Sequence, residues 1–101
     1  MKVTLITVCR NVAAVIAETL DSVRAQSHPD IELVVIDGAS NDGTVGILER
    51  YRSVPGKRGI DILVSEPDKG IYDAMNKGLA RATGDIIGFV NAGDLLMTRD
   101  T

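Results

Sequence analysis

The sequence contains little that would support a disulfide framework, a zinc site or a membrane span. Its 101 residues include one cysteine and one histidine, which excludes an internal disulfide framework and a cluster of zinc ligands. No apolar run approaches the roughly 20 residues of a spanning helix. The net charge of −3, without a basic stripe, argues against nucleic-acid binding through phosphate contacts. The single cysteine and the absence of a recognisable leader predict a cytoplasmic protein.

What is present is the composition of a globular domain. Hydrophobic residues make up 45% of the chain and charged residues 25%, which excludes intrinsic disorder. The length predicts one compact domain over residues 1–101. A domain this short rarely holds a complete two-substrate active site.

Short apolar runs alternate with segments in which apolar residues recur at helical spacing. We predict strands over residues 3–8, 31–36, 60–64 and 85–90. We predict helices from residue 12 to the break at 27–30, from 44 to about 53, and over 70–83. Gly84 is predicted as the C′ residue of the last helix. The order β-α-β-α-β-α-β predicts an α/β fold, an open and mostly parallel sheet with helices on both faces.

In such a sheet, ligands bind outside the carboxyl ends of the strands. Polar residues follow all four predicted strands: Cys9, Arg10 and Asn11; Asp37, Ser40, Asn41 and Asp42; Ser65, Glu66, Asp68 and Lys69; Asn91 and Asp94. Because parallel strands end at the same edge, these carboxylates, amides and basic groups converge there. The sequence therefore predicts a polar site at that edge.

Missing motifs narrow the chemistry of this site. The chain has no G-x-G-x-x-G after its first strand, no G-x-x-x-x-G-K-[ST] and no G-x-S-x-G, so the usual dinucleotide, P-loop and nucleophile-elbow functions are disfavoured. A divalent cation with a phosphorylated ligand remains. Asp37, Asp42 and Asp94 offer the oxygen ligands that Mg²⁺ or Mn²⁺ shares with substrate phosphates, and such a cation neutralises charge on a diphosphate leaving group.

Three blocks resemble a known family: TVCRN at 7–11, VIDGASNDGT at 35–44, and SEPDKGIYDAMNKG at 65–78, which continues to NAGD at 91–94. They resemble the N-terminal, donor-binding half of family-2 glycosyltransferases, inverting enzymes of the GT-A fold. The third block is similar to the subgroup that builds exopolysaccharides of the colanic-acid type. The resemblance implies a hexosyltransferase-type enzyme that transfers sugar from a nucleotide-diphosphate sugar to a saccharide or lipid-linked acceptor.

The resemblance also implies roles for individual residues. The implied donor-binding residues are Val8, Asn11, Asp37, Asp42, Asp68, Lys69, Gly70 and Asn76. Asp37 would lie beside the base and ribose, and Asp94 would hold Mg²⁺ or Mn²⁺ on the diphosphate. Gly38 stands where many relatives carry a second acid that reads uracil, and Asn91 and Gly93 replace acids of the usual metal motif.

In this family the general base lies in the C-terminal half, so no catalytic residue is expected within residues 1–101. The alternative hypothesis is a truncated, non-catalytic protein that binds nucleotide or self-associates. Truncation of such a fold would leave apolar surface uncovered, which predicts a homodimer. The expected location is the cytoplasm, and the alternative is a peripheral position at the inner face of the membrane.

Several of these residues also have a purely structural interpretation. Residues 41–44 suit a turn and a helix cap. Asp73 and Lys77, four residues apart on a predicted helix, suit a surface ion pair. Cys9 suits a small buried residue at a strand end.

Overall fold

The computed structural model describes residues 2–25, 30–52 and 59–90. Its elements are β1 (Val3–Cys9), α1 (Ile16–Arg24), β2 (Ile31–Asp37), α2 (Thr44–Arg50), β3 (Ile62–Ser65), α3 (Ile71–Arg81) and β4 (Ile86–Phe89). The four strands form one sheet in the order β3-β2-β1-β4, and all three neighbouring pairs are parallel. The prediction of an open parallel α/β sheet is confirmed.

Two apolar layers cover the middle of the sheet. On one face, the buried side of α1, including Leu20, packs in a cluster with Leu33 and Val35. On the other face, Ala74 of α3 packs in a cluster with Val34 and other strand residues. Because β2 is covered on both faces, all its residues after the first are buried and its sequence lacks alternation. Helices on both faces are therefore confirmed.

The first helix begins later than its apolar spacing predicts. Helix α1 starts at Ile16 and not at residue 12. Asn11 has a left-handed φ of 52°, and the N–H groups of residues 11–13 donate to side chains of the loop after β2 and of the first residue of α2. These bonds hold the start of the predicted helix as a loop. Other bounds shift by a few residues: for example, α2 ends at Arg50, and β3 begins at Ile62.

Gly84 has a different role from the predicted one. Helix α3 ends at Arg81 with the extended residue Ala82 as its C-cap, so Gly84 is not the C′ residue. A Cβ at Gly84 would lie 2.7 Å from the backbone nitrogen of Thr4. The glycine therefore permits the chain to pass close to β1 before it enters β4, and it donates its N–H to Thr4 Oγ1 at 2.8 Å.

A buried carboxylate joins the strands at their amino ends. Glu32 on β2 accepts hydrogen bonds from the Thr4 hydroxyl at 2.9 Å and the Thr83 N–H at 3.0 Å, and its Oε2 lies 3.3 Å from Lys2 Nζ. Burial opposes ionisation of Glu32, but these donors outweigh it and lower its pKa below 4.5. The network ties the connection between α3 and β4 to the centre of the sheet.

None of the helices within the described ranges has the length and apolar character needed to span a membrane.

Candidate functional site

Asp37 lies at the carboxyl end of β2, fully buried. Its Oδ2 accepts the Ser40 N–H at 2.9 Å and the Ser65 hydroxyl at 2.9 Å. Its Oδ1 accepts the Ser40 hydroxyl and, at 3.6 Å, the Cys9 thiol. Both oxygens thus have partners within the protein, drawn from β1, β3 and the loop after β2. From its buried position, Asp37 thus joins the carboxyl ends of β1, β2 and β3 through hydrogen bonds.

Cys9 is the small buried residue that the sequence predicts, and its thiol also donates a hydrogen bond to Asp37. Burial, followed by the neighbouring Asp37 carboxylate, raises the pKa of the Cys9 thiol to about 12. The thiol is therefore neutral at physiological pH and can donate its proton to Asp37. A nucleophilic role would need the thiolate, which this environment disfavours.

Asn11 links the loops that follow β1 and β2. Its backbone N–H donates to Ser40 Oγ at 2.8 Å, and its side-chain Oδ1 accepts the Asn41 N–H at 2.9 Å. The left-handed backbone at Asn11 suits asparagine better than most residues. These bonds place residue 11 against a loop 29 positions later in the chain.

Asp42 strengthens the same link. Its Oδ1 accepts the Thr44 N–H at 3.1 Å, and its Oδ2 accepts the Ala13 N–H at 3.2 Å. The hydrogen bond from the Thr44 hydroxyl, and then those from backbone N–H groups, lower the pKa of Asp42. Gly43 is the N-cap of α2, without a side-chain cap bond. The N-cap of α2 thus lies within residues 41–44, as predicted, and Asp42 links the loop after β1 to the first residue of α2.

A cleft of about 290 Å³ opens beside these loops, lined by Val8, Cys9, Arg10, Asp68 and Gly70. It lies at the carboxyl ends of β1 and β3, where ligands bind in open α/β sheets.

The loop that carries Asp68 is anchored from both sides. Within the loop, Asp68 Oδ1 accepts the Gly70 N–H at 3.1 Å. Below it, Lys77 Nζ donates to the Pro67 carbonyl at 3.0 Å and pairs with Glu66 at 3.1 Å. Lys77 also lies 3.7 Å from Asp73, so the predicted ion pair is confirmed and belongs to a larger anchor.

Gly38 lies buried between two cleft residues. A Cβ at this position would lie 2.9 Å from Asp68 Oδ2 and 3.6 Å from the Cβ and Cδ atoms of Arg10. A carboxylate at residue 38 would collide with Asp68 and repel its charge. The absence of a side chain at Gly38 therefore leaves room for Asp68. The acid that lines the cleft follows β3, and β2 contributes none at position 38.

The predicted donor-binding residues separate into groups. Val8, Asp68 and Gly70 line the cleft, Asn11 and Asp42 link the adjacent loops, and Asp37 lies beneath. Lys69 and Asn76 are exposed, and neither lines the cleft. Asp94, Asn91 and Gly93 lie outside the described residues. The donor contacts of the whole set stay predictions.

Three residues at this edge had no predicted donor-side role: Arg10, Ser40 and Ser65. Arg10 lines the cleft, and the two serines hold Asp37. Their positions directly after predicted strands were the available signal. Hydroxyls at such positions are common in turns, so the pattern alone does not select them.

The described residues do not form a complete metal site by themselves. They contain no group of three histidine, cysteine, aspartate or glutamate side chains placed to hold an ion. Asp37 and Asp42, expected from the sequence as oxygen ligands, use both carboxylate oxygens in hydrogen bonds to the protein. A cation here would need ligands from elsewhere, including the phosphates of a substrate.

Known proteins resemble this chain in both sequence and fold. The family model for glycosyl transferase family 2 matches residues 4–100. A PGL/p-HBAD biosynthesis glycosyltransferase of Mycobacterium bovis (strain BCG / Pasteur 1173P2) is 43% identical over 91 residues, which are 90% of this chain and 35% of that protein. The chain thus spans about a third of the length of this relative.

Two solved structures share the fold. The mannosyltransferase PcManGT from Pyrobaculum calidifontis, in complex with GDP-Man and Mn²⁺, matches with a TM-score of 0.88 and 35% identity, over 98% of this chain and 29% of that one. S. aureus TarS 1–349 in complex with UDP-GlcNAc matches with a TM-score of 0.81 and 30% identity, over 94% of this chain and 27% of that one. The parallel sheet is the Rossmann-like part of the GT-A fold. Because the family model covers nearly the whole chain, this protein belongs to glycosyl transferase family 2.

Proposed function

We propose that this chain binds the nucleotide-diphosphate sugar of a glycosyl transfer reaction. The observation that carries the proposal is the cleft at the carboxyl ends of the strands, with an anchored acidic loop on one side and Arg10 on the other. Two structural neighbours in complex with a nucleotide sugar, GDP-Man in one and UDP-GlcNAc in the other, support it.

The proposed reaction is an inverting transfer for a surface polysaccharide of the exopolysaccharide type. The acceptor hydroxyl, of a saccharide or lipid-linked acceptor, attacks the anomeric carbon while the nucleoside diphosphate leaves. The residues of this chain bind and orient the donor, and the general base is assigned to none of them. The proposed setting is the cytoplasm, at the inner face of the membrane.

Mg²⁺ or Mn²⁺ belongs to the same proposal. Asp94 would be its protein ligand and the donor phosphates would supply others. When bound, the cation supplies charge neutralisation at the departing diphosphate. The Mn²⁺ in the mannosyltransferase complex supports the use of a divalent cation.

Calorimetric titration tests donor binding directly. With Mn²⁺ present, at least one of the common UDP- or GDP-sugars is expected to bind with a dissociation constant below roughly 1 mM. Chelation of the cation is expected to weaken that binding. No measurable heat with any donor would rule out the proposed binding function.

A second candidate function, self-association without catalysis, is favoured by the surface around β4. Ile86, Ile87 and Phe89 are 49%, 42% and 44% exposed, and β4 is the last strand on its side of the described sheet. In this proposal, a second copy of the chain covers the β4 edge. Sugar transfer by the isolated chain would contradict the non-catalytic alternative.

The dimer is tested by mass measurement with light scattering at tens of micromolar protein. The wild type is expected to have twice the monomer mass, and Ile87→Lys the monomer mass, because a charge on the covered strand opposes burial. Tyr72→Lys is the matched control, since Tyr72 is 80% exposed on α3. A monomeric wild type would contradict the dimer.

A further inference from the structure

We infer that the exposed face of α3, at Tyr72 and Asn76, binds a sugar ring of the acceptor saccharide. This surface lies beside the donor cleft and is separate from it, because Gly70 lines the cleft whereas Tyr72 and Asn76 do not. The ligand class is an uncharged pyranose, recognised by an aromatic ring and a primary amide. The inference rests on the proposed function, since an acceptor site has a use only next to a bound donor.

The two tyrosines of the chain have opposite surroundings. The Tyr51 hydroxyl donates to Asp21 at 2.8 Å, and the guanidinium carbon of Arg24 lies 4.3 Å from the centre of the Tyr51 ring. Tyr72 is 80% exposed on the first turn of α3, and among the described residues neither its ring nor its hydroxyl has a partner. An aromatic ring contributes binding free energy when its face is covered, so Tyr72 has a whole ring face available to a ligand.

Asn76 extends this surface to about the width of one sugar ring. It follows Tyr72 by four residues in the same helix, so the two Cβ atoms lie on one face about 5–6 Å apart. Asn76 is exposed, and its amide has no hydrogen-bond partner within the described ranges. An amide both donates and accepts hydrogen bonds, as a sugar hydroxyl does. The pair therefore matches a pyranose, whose C–H face stacks on an aromatic ring while its hydroxyls bind the amide.

The helix that carries both residues is held firmly against the sheet. Ala74 packs in the core, and a Cβ at Gly78 would lie 2.5 Å from Ile6 Cγ2, so α3 lies close to β1. Lys77 fixes the helix to the loop after β3, because its Nζ donates to the Pro67 carbonyl at 3.0 Å. A surface that is already rigid loses little conformational entropy on binding, which favours ligands that make few contacts, such as a single sugar ring.

The charges next to Tyr72 favour an uncharged ligand. Asp73 accepts the Lys69 N–H at 2.9 Å and lies 3.7 Å from Lys77 Nζ, which also pairs with Glu66 at 3.1 Å. These opposite charges largely compensate each other, so the surface attracts neither a phosphate nor a cation strongly. A lipid surface would need a wider apolar face than one in which Tyr72 is surrounded by polar side chains.

An NMR titration of the isotope-labelled chain with methyl glycosides of glucose, galactose, mannose and N-acetylglucosamine tests this site. At least one glycoside is expected to shift the backbone amide signals of Tyr72 and Asn76, with a dissociation constant in the millimolar range. Tyr72→Ala is expected to weaken that binding by about two- to tenfold, the size of an aromatic stacking contribution. Tyr72→Phe keeps the ring and should bind like the wild type. Leu79→Ala, which removes apolar surface that is 42% exposed further along α3, is the matched control and should also bind like the wild type.

Asn76→Ala is a second, independent variant. Loss of the amide is expected to weaken glycoside binding by about two- to tenfold, the size of one hydrogen bond. Because Tyr72 and Asn76 are both exposed, both alanine variants are expected to keep the thermal stability of the wild type, which circular dichroism measures.

The outcomes separate the inference from the proposed function. Absence of shifts at Tyr72 and Asn76 with every glycoside would overturn the inference, as would wild-type affinity in both alanine variants. Weakening by Leu79→Ala as large as that by Tyr72→Ala would also overturn it, because the face would then be a general apolar surface. Calorimetry with UDP- and GDP-sugars is expected to give the same donor affinity for the wild type and Tyr72→Ala. Absence of donor binding by the wild type would contradict the proposed function, whereas the glycoside titration needs no donor.

Discussion

Replacing Asp37 with alanine is expected to lower the free energy of unfolding by about 2–4 kcal/mol and to weaken donor binding strongly. The substitution removes the acceptor for the Ser40 N–H, the Ser40 and Ser65 hydroxyls and the Cys9 thiol. Donors left buried without partners cost about 1–3 kcal/mol each, and relief of the buried charge offsets part of this cost. Denaturant titration followed by circular dichroism measures the change.

Two further variants sharpen this prediction. Asp37→Asn keeps the shape and one acceptor oxygen. Its free energy of unfolding should therefore lie between those of the wild type and Asp37→Ala. Glu49→Ala removes an exposed carboxylate on α2 that lies 3.9 Å from Arg52, and such pairs contribute about 0–1 kcal/mol. If Asp37→Ala is as stable as Glu49→Ala, Asp37 does not hold the strand ends together.

Replacing Glu32 with glutamine is expected to reduce stability at pH 7 by about 1–3 kcal/mol and to reduce its sensitivity to acid. Glutamine keeps one oxygen for Thr4 and the Thr83 N–H, but it places an amide opposite Lys2 and the Thr83 hydroxyl. Because the Glu32 pKa is lowered in the folded protein, its ionised form stabilises the fold above the ordinary pKa of 4.5. This contribution is lost as the pH falls through the lowered pKa.

Free energies of unfolding measured from about pH 7 down to about pH 3 test this expectation. The difference between wild type and Glu32→Gln should shrink as the pH drops below 4.5. Asp42 and Asp73 also have lowered pKa values, so the variant should retain some acid sensitivity. Glu49→Gln should follow the wild-type profile. A constant difference at every pH would mean that the charge of Glu32 does not stabilise the fold.

Local patterns were sufficient for most of the architecture. The apolar run of β2 and the helical spacing in α3 each predicted the correct element to within a few residues, because both depend on residues close in sequence. The start of α1 was predicted wrongly because residues 12 and 13 donate hydrogen bonds to Thr44 and Asp42, some 30 positions away. Gly84 was misassigned because its role depends on contact with Thr4.

The sequence by itself determined the order of strands and helices, and with it the edge of the sheet at which polar residues gather. Its three blocks also indicated the family, which the family model confirms. Only the tertiary structure decided what each carboxylate at that edge does. Asp37 is buried and both its oxygens accept hydrogen bonds, Asp42 joins two loops, and Asp68 lines the cleft. The reason is physical: a carboxylate's partners and exposure depend on which strand ends the sheet places side by side. Strands β1 and β2 pair across 28 positions of sequence, beyond the reach of local patterns.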